Sequence, residues 1–352
     1  MSQPTWTSKL LTDCAHRRVQ SVLPFSSHRT AGISTLFSLY IAISLFLSGC
    51  CTNAEIQSYE SIYAAQTNDF RFAAAHIPAF QIKSDSQPYN KIGTPKVTEK
   101  NGKPLVVVSS SSPTLYFEQS SFTTQKNRYT NLIYRIHFSK VPFDICNLNI
   151  TTGNNPGLLV IYTLDDANSL VLITTVHTCG CYLAFFPTTN LPKEAYPDHW
   201  PLDAQSVYGY TLPSKLVPPL HTTDQPYYFT LENGSHRISN VAHPPNSHNM
   251  RSFQPMEVHP MESLYHLPYK DMTVSFFEEA GQREGYVKNN TKILEKLLIS
   301  WWAFDWHVGE DKAYGKSDSS RTPFYTSLKF WQRNSSDMKN FPQFLSYWGW
   351  DL

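Results

Sequence analysis

The sequence has few charged residues and almost no net charge. Charged side chains make up 16% of its 352 residues, and 29 Lys plus Arg against 28 Asp plus Glu leave a net charge of +1. Soluble globular domains carry about a quarter charged residues. A general nucleic-acid-binding protein needs a basic face that neutralises phosphates, so this balance argues against that class and predicts no nucleic-acid partner.

Complete catalytic signatures are also missing from the sequence. It contains no Cys-x-x-Cys pair, no His-Glu-x-x-His, no Gly-x-Ser-x-Gly and no phosphate-binding loop. No set of acid, base and nucleophile assembles from the sequence, which leaves open whether the protein is an enzyme. Apolar residues make up 41% of the chain, which is enough for a packed globular core.

A long uncharged stretch lies near the N-terminus. Residues 31–49 carry no charge and follow a basic region, an order typical of export signals. The stretch ends in Leu47-Ser48-Gly49-Cys50, which resembles the lipobox of bacterial lipoprotein precursors. The resemblance implies that Cys50 is acylated, with palmitate among its acyl groups, and becomes the mature N-terminus. It also implies the cell envelope, and the outer membrane if the organism has one, since Cys51 rather than Asp follows.

The same stretch suits an uncleaved transmembrane helix as an alternative. Its 19 residues just suffice to span about 30 Å of hydrocarbon. The Ser-Gly-Cys ending favours cleavage and lipid anchoring, and two acyl chains anchor a protein stably. Either interpretation predicts a membrane as one partner, through a lipid anchor or an N-terminal helix, and leaves a protein or glycan partner unspecified.

The rest of the chain predicts a mainly β, α+β fold. In the segment 129–138 apolar residues alternate with polar ones, which predicts a sheet packed on one face. Short loops between successive strands favour an antiparallel sheet or sandwich. We therefore divide the chain into a signal peptide or membrane segment at 1–49, a helix and linker at 50–103, and one β-rich domain with a C-terminal helical segment at 104–352.

Two segments show the spacing of amphipathic helices. Residues 54–70 place apolar side chains near one helical face, which predicts an N-terminal helix. Lys292–Phe304 predicts a helix in the C-terminal segment. Its apolar stripe, which we expect to pack on the sheet, consists of Leu294, Leu297, Leu298 and Trp301. The chain then ends in an aromatic segment with Trp348 and Trp350, which predicts a docked C-terminus.

A first candidate site lies at the end of a predicted strand. In a regular strand His177, Cys179 and Cys181 share one face, and imidazole with thiolates suits zinc or copper. A structural disulfide from Cys146 to Cys179 or Cys181 is an alternative in an oxidising compartment, and a Cys-x-Cys redox pair is a third. No other cofactor is predicted.

A second candidate site is the segment Trp301–Asp311. Aromatic rings beside carboxylates are typical of sugar sites, which makes Asp305, Glu310 and Asp311 candidate catalytic acids. The same segment equally suits a buried helix end whose indoles donate to nearby acids. Two functions follow: an exported lipoprotein that binds or scaffolds in the envelope, and an envelope hydrolase acting on glycan or peptidoglycan. A metal bound by His177 and the cysteines would change the second function, the hydrolase, to that of a metallohydrolase or a metal-binding protein.

Overall fold

The computed structural model describes residues 60–65, 76–144, 149–218, 226–243 and 250–352. Within these ranges the chain is mainly β, as the sequence predicts. The strands are β1 (Glu60–Ala65), β2 (Ala79–Ile82), β3 (Thr94–Lys100), β4 (Lys103–Ser109), β5 (Thr114–Thr123), β6 (Arg128–His137), β7 (Lys140–Val141), β8 (Gly153–Asn154), β9 (Gly157–Leu164), β10 (Leu170–His177), β11 (Ala184–Pro187), β12 (Ala204–Val207), β13 (Tyr210–Pro213), β14 (Tyr228–Leu231), β15 (Ile238–Ala242), β16 (Met250–Pro260), β17 (Leu267–Tyr269) and β18 (Met272–Val274). The α-helices are α1 (Ile293–Ala303) and α2 (Phe341–Tyr347).

Ten strands form one curled, mixed sheet in the order β11-β10-β9-β6-β5-β16-β1-β2-β14-β15. Three neighbouring pairs are parallel, namely β1 with β16, β16 with β5, and β2 with β14. The expectation of a purely antiparallel sheet or sandwich is therefore wrong. Short loops fix the direction only of strands that follow one another, whereas the parallel partners come from distant parts of the chain.

The segment expected to form an N-terminal helix contributes a strand. Residues 60–65 form β1, which lies inside the sheet between β16 and β2. Ser61, Ile62 and Tyr63 are all buried, and consecutive burial is typical of a strand covered on both faces. The helix prediction is wrong here, and the rest of residues 54–70 lies outside the described residues. The segment 50–103 also contains β2 and β3.

The central strands are buried on both faces. In β6, Ile133 joins one apolar cluster, and Leu132 and Tyr134 join a second cluster on the opposite face. The polar residues that alternate with them are buried as well, including Arg135 and His137. Arg135 Nε donates to His137 Nε2 at 2.9 Å, and such bonds make buried polar groups tolerable. The expectation of one solvated face is therefore wrong.

The C-terminus is docked in the core, which confirms the sequence prediction. Trp348 and Trp350 are each 1% exposed. Trp348 Nε1 donates to the Thr326 hydroxyl at 3.0 Å, and the Trp350 ring packs against Phe185 with centroids 5.4 Å apart. Within the described ranges, no helix combines the length and hydropathy needed to cross a membrane.

Candidate functional site

The segment after β10 is a tight turn rather than a longer strand. The His177 N–H donates to the Cys181 carbonyl at 2.9 Å, and the Gly180 N–H donates to the His177 carbonyl at 2.8 Å. Gly180 has φ +90°, and a Cβ there lies 2.1 Å from the Tyr325 carbonyl oxygen, so only glycine fits. His177, Cys179 and Cys181 therefore do not share the single strand face that a regular strand gives them.

The two cysteines of this turn are buried, and both side chains are thiols. The Cys181 thiol donates to Glu295 Oε1 at 3.7 Å. Burial, and next the neighbouring Cys181, raises the pKa of the Cys179 thiol well above its ordinary value, which favours the protonated form over the thiolate that binds metals. Cys146, the other half of the expected disulfide, and Cys50 both lie outside the described residues.

A metal centre is not assembled in the part of the chain that the structure describes. No group of three or more His, Cys, Asp or Glu side chains there is arranged to hold an ion. His177 Nε2 donates instead to the His236 carbonyl at 3.0 Å. Zinc or copper at His177, Cys179 and Cys181 stays a prediction of the sequence.

Asp311 is the centre of a buried ionic cluster beside this turn. Its carboxylate accepts hydrogen bonds from the Thr178 hydroxyl, from Asn290 Nδ2 at 2.7 Å and from the Gly157 N–H at 3.3 Å. Lys292 Nζ lies 3.0 Å from Oδ2, the oxygen that also accepts from Asn290, and both side chains of this ion pair are almost fully buried. Burial favours the neutral acid, but the Lys292 ammonium and the Thr178 hydroxyl outweigh it and hold the pKa of Asp311 below its ordinary value.

The cluster extends to the buried side of α1. Glu295 is 1% exposed, and burial raises the pKa of its carboxyl group. Gly309 makes room for it, since a Cβ at that position lies 2.1 Å from the Glu295 carboxylate. Lys312 Nζ donates to the carbonyls of Cys179 at 3.2 Å and of Glu310 at 3.1 Å. The turn after β10, the helix and the segment that follows it are thus held together by internal charges.

The three candidate acids take up structural positions. Glu310 is 1% exposed and pairs with Arg283 and with His307 Nδ1 at 3.2 Å. Asp311 is fully buried, and Asp305 accepts a 2.6 Å hydrogen bond from the Tyr325 hydroxyl. A substrate does not reach Glu310 or Asp311 in this conformation. The catalytic assignment stays a prediction, and this geometry does not favour it.

Helix α1 turns its apolar stripe to solvent, so the expectation that the stripe packs on the sheet is wrong. Leu297 is 64% exposed and Trp301 is 72% exposed. The physical reason lies on the other side of the helix, where Glu295 and the preceding Lys292 face Asp311. A buried charge without a partner costs several kcal/mol, so the pairing of Lys292 with Asp311 fixes which side of α1 faces inward.

The outward stripe continues into a larger surface, which we call the aromatic face. Its members are 48–81% exposed and are Leu297, Leu298, Trp301, Trp302, Phe304, Trp306, Phe330 and Trp331. Ring contacts form two groups within this surface. The centroids of Trp301 and Trp306 are 5.8 Å apart, those of Phe304 and Phe330 are 4.9 Å apart, and Phe330 also contacts Trp331. Together they expose on the order of 1,000 Å² of apolar surface, above the few hundred Å² of a typical monomer.

Phe304 holds an unusual backbone conformation at the end of α1. Its φ is 47° and its ψ is 43°, in the left-handed region. Glycine is the usual residue at this position of a helix, because a Cβ there costs roughly 1–2 kcal/mol. The side chain does not recover this cost by burial in the core, since it is 72% exposed.

An open cleft beside β5 brings together two other carboxylates. It encloses about 400 Å³ and is lined by residues that include Glu118, Ser120, Asn131 and Asp318. Burial raises the pKa of Glu118, although the Lys316 N–H donates to its carboxylate. Sequence reasoning missed this pair, because Glu118 and Asp318 lie 200 positions apart and belong to no motif.

The buried histidines predict that the protein loses stability in mild acid. Burial lowers the pKa of His177 and of His236 to about 3, against 6.5 in an unfolded chain. Both histidines are neutral when folded, so protonation favours the unfolded chain and stability falls as the pH drops from 6.5 towards 3. We expect a loss of about 1.4 kcal/mol per pH unit per histidine in that window, measured by urea denaturation at pH 7 and pH 5.

Two variants control for this effect. His177→Gln removes one titrating group and is expected to flatten the dependence on pH. His266→Gln changes an exposed histidine and is expected to leave the dependence intact. Equal stability of the original protein at pH 7 and pH 5 contradicts the prediction.

No family model matches the chain, and no curated protein and no solved structure matches it either.

Proposed function

We propose that the protein is a lipoprotein of the cell envelope, anchored through Cys50, and that it binds a partner without catalysing a reaction. The lipobox-like sequence that ends at Cys50 supports the anchor. The aromatic face supports binding and carries the proposal, because an apolar surface of this size on a soluble protein marks an interaction site. In a Gram-negative organism the absence of Asp after Cys50 favours the outer membrane.

The placement of the reactive side chains supports binding over catalysis. Cys179, Lys292, Glu310 and Asp311 are all buried, and the two carboxylates are paired with basic side chains of the protein. The aromatic face, by contrast, presents apolar rings to solvent. An enzyme needs its acids and nucleophiles within reach of a substrate, whereas a binding protein needs an exposed surface with aromatic anchors.

Acylation of Cys50 is the first test of this proposal. Metabolic labelling with a palmitate analogue is expected to mark the protein and to be lost in Cys50→Ala. Cys51→Ala removes the adjacent thiol and is expected to keep the label, which makes it the matched control. Equal labelling of the protein and Cys50→Ala contradicts acylation at this residue.

The cleft beside β5 favours a second candidate function, hydrolysis of an envelope glycan. A carboxyl group with a raised pKa is suited to general acid catalysis, and glycosidases pair such a group with a second carboxylate. Glu118 has this property, and the charge of Asp318 contributes to it. Asp318 is held in place by Lys339, whose Nζ lies 2.9 Å from its carboxylate.

This alternative predicts measurable release of sugar from purified peptidoglycan, reduced at least about 100-fold by Glu118→Gln, since that change removes the acid while keeping its shape. Asp305→Asn tests the acid proposed from sequence in the same assay. If the protein releases no sugar, or if Glu118→Gln leaves the rate unchanged, hydrolysis at this cleft is ruled out and the binding function stands.

A further inference from the structure

Two lysine side chains border the aromatic face, and one partly exposed carboxylate, that of Asp305, lies within it. Residues 292–307 contain two carboxylates. Glu295 is buried, and Asp305 is hydrogen-bonded to the Tyr325 hydroxyl. Lys296 on α1 and Lys329 beside Phe330 are partly exposed. A helix with Leu and Trp on its outward side and lysine at its border is the type that lies in a membrane interface, where indole rings sit among the headgroups and ammonium groups meet phosphates.

Phe304 carries an exposed ring at a helix end where the left-handed backbone conformation favours glycine. Glycine suits the left-handed conformation there, yet the position holds a large apolar side chain that points to solvent and touches Phe330. Strain at a residue that contributes little to the core is characteristic of functional surfaces. Phe304 thus joins the other exposed rings of the aromatic face as a candidate contact residue.

The distance from Cys50 to the folded domain also favours a membrane as the contact. Ten backbone steps separate Cys50 from Glu60, where β1 begins, and they span at most about 35 Å. A domain of this size is about 50 Å across. A lipid-anchored domain on so short a connection stays next to the bilayer, so the effective concentration of lipid at its surface is high.

We propose that the aromatic face inserts into the headgroup region of an anionic phospholipid bilayer, with Lys296 and Lys329 against lipid phosphates. The inference rests on the proposed membrane anchor and adds a second, independent attachment to it. The lipid at Cys50 holds the protein on the membrane, and the aromatic face fixes which side of the domain lies on it. The opposite side of the domain then faces the envelope space.

Tryptophan quenching tests this contact directly. The full-length protein, purified in detergent, is reconstituted into vesicles of phosphatidylcholine and phosphatidylglycerol whose acyl chains carry bromine, which quenches indoles it touches. Seven of the eight tryptophans follow Cys50, and four of these belong to the aromatic face. We expect about half of the tryptophan emission to be quenched relative to vesicles without bromine.

Variants assign the quenching to the aromatic face. Trp301→Ser/Trp302→Ser is expected to lose a large part of the quenched emission at unchanged melting temperature. Leu202→Ser, at a side chain 88% exposed outside this face, is the matched control and is expected to keep the quenching. Phe304→Gly is expected to raise the melting temperature and yet to reduce quenching, a combination that a purely structural role of Phe304 does not produce.

The outcomes separate this inference from the proposed anchor. A protein that is labelled at Cys50 but shows no quenching overturns the membrane contact and leaves the anchor standing. This outcome is also the one expected if residues 31–49 or a second copy of the chain covers the aromatic face. A protein that is quenched but not labelled at Cys50 supports the membrane contact and overturns the lipid anchor. Quenching that Trp301→Ser/Trp302→Ser leaves unchanged overturns the assignment to this face.

Discussion

Replacing Asp311 with Ala is expected to lower the free energy of unfolding by about 3–5 kcal/mol, because it leaves a buried ammonium group without its partner. Asp311 accepts hydrogen bonds from Thr178, Asn290 and Gly157, and it pairs with Lys292. The change therefore leaves several buried hydrogen-bond donors without an acceptor. Chemical denaturation at neutral pH, followed by far-ultraviolet circular dichroism, measures the loss.

A surface ion pair provides the control for this prediction. Lys126 Nζ lies 2.7 Å from the Asp351 carboxylate, and both side chains are at least half exposed. Asp351→Ala is expected to cost no more than about 1 kcal/mol, since water screens such pairs. If Asp311→Ala also costs less than about 1 kcal/mol, the prediction is contradicted. Such a small loss is typical of a hydrated surface carboxylate and not of the buried one in the structure.

The second large effect is expected at Trp348. Trp348→Ala removes a fully buried ring that packs against Phe185 and donates to Thr326, and changes of this kind cost about 3–5 kcal/mol. Trp301→Ala removes a ring of the same size that is 72% exposed. Its expected cost is within about 0.5 kcal/mol, as for other surface substitutions. Melting temperature and denaturant midpoint measure both.

The comparison of these two tryptophans decides between two orientations of α1. The sequence alone predicts an inward Trp301 and hence a large loss of stability in Trp301→Ala. The structure, in which Trp301 is exposed, predicts almost no loss of stability in this variant. Equal, large losses in Trp301→Ala and Trp348→Ala contradict the outward orientation and with it the aromatic face.

The orientation of α1 shows where sequence patterns stop being sufficient. The spacing of Leu294, Leu297, Leu298 and Trp301 correctly predicts a helix, and apolar stripes usually face a core. The inward side instead carries Glu295, Ile299, Ser300 and Ala303. The pairing of Lys292 with Asp311 selects this side. That partner lies on another segment of the chain, so no local pattern reveals it. The one local sign is that two charged residues, Lys292 and Glu295, share a helical side with small residues.

The same limit applies to the sheet. Alternation predicts the strands around 129–138 and the β class of the fold, and the aromatic ending predicts the docked C-terminus. Burial of Arg135 and His137 is not predictable from alternation, because their hydrogen bonds run to each other and to the Lys312 carbonyl. The parallel pairing of β1 with β16 is not predictable either, because loop lengths indicate the direction only of consecutive strands and these two lie far apart in the sequence.

The position of β1 inside the sheet determines how the domain responds to mechanical load under the proposed anchoring at Cys50. With the proposed lipid at Cys50, a pull from the membrane reaches β1 from its N-terminal side and runs along this strand, which is hydrogen-bonded to β16 on one side and to β2 on the other. Ladder hydrogen bonds lie across the strand direction, so such a force shears two ladders at once instead of peeling one bond after another. Forced unfolding is governed by the barrier that must be crossed, and a load along β1 meets the barrier of two strand pairings instead of one.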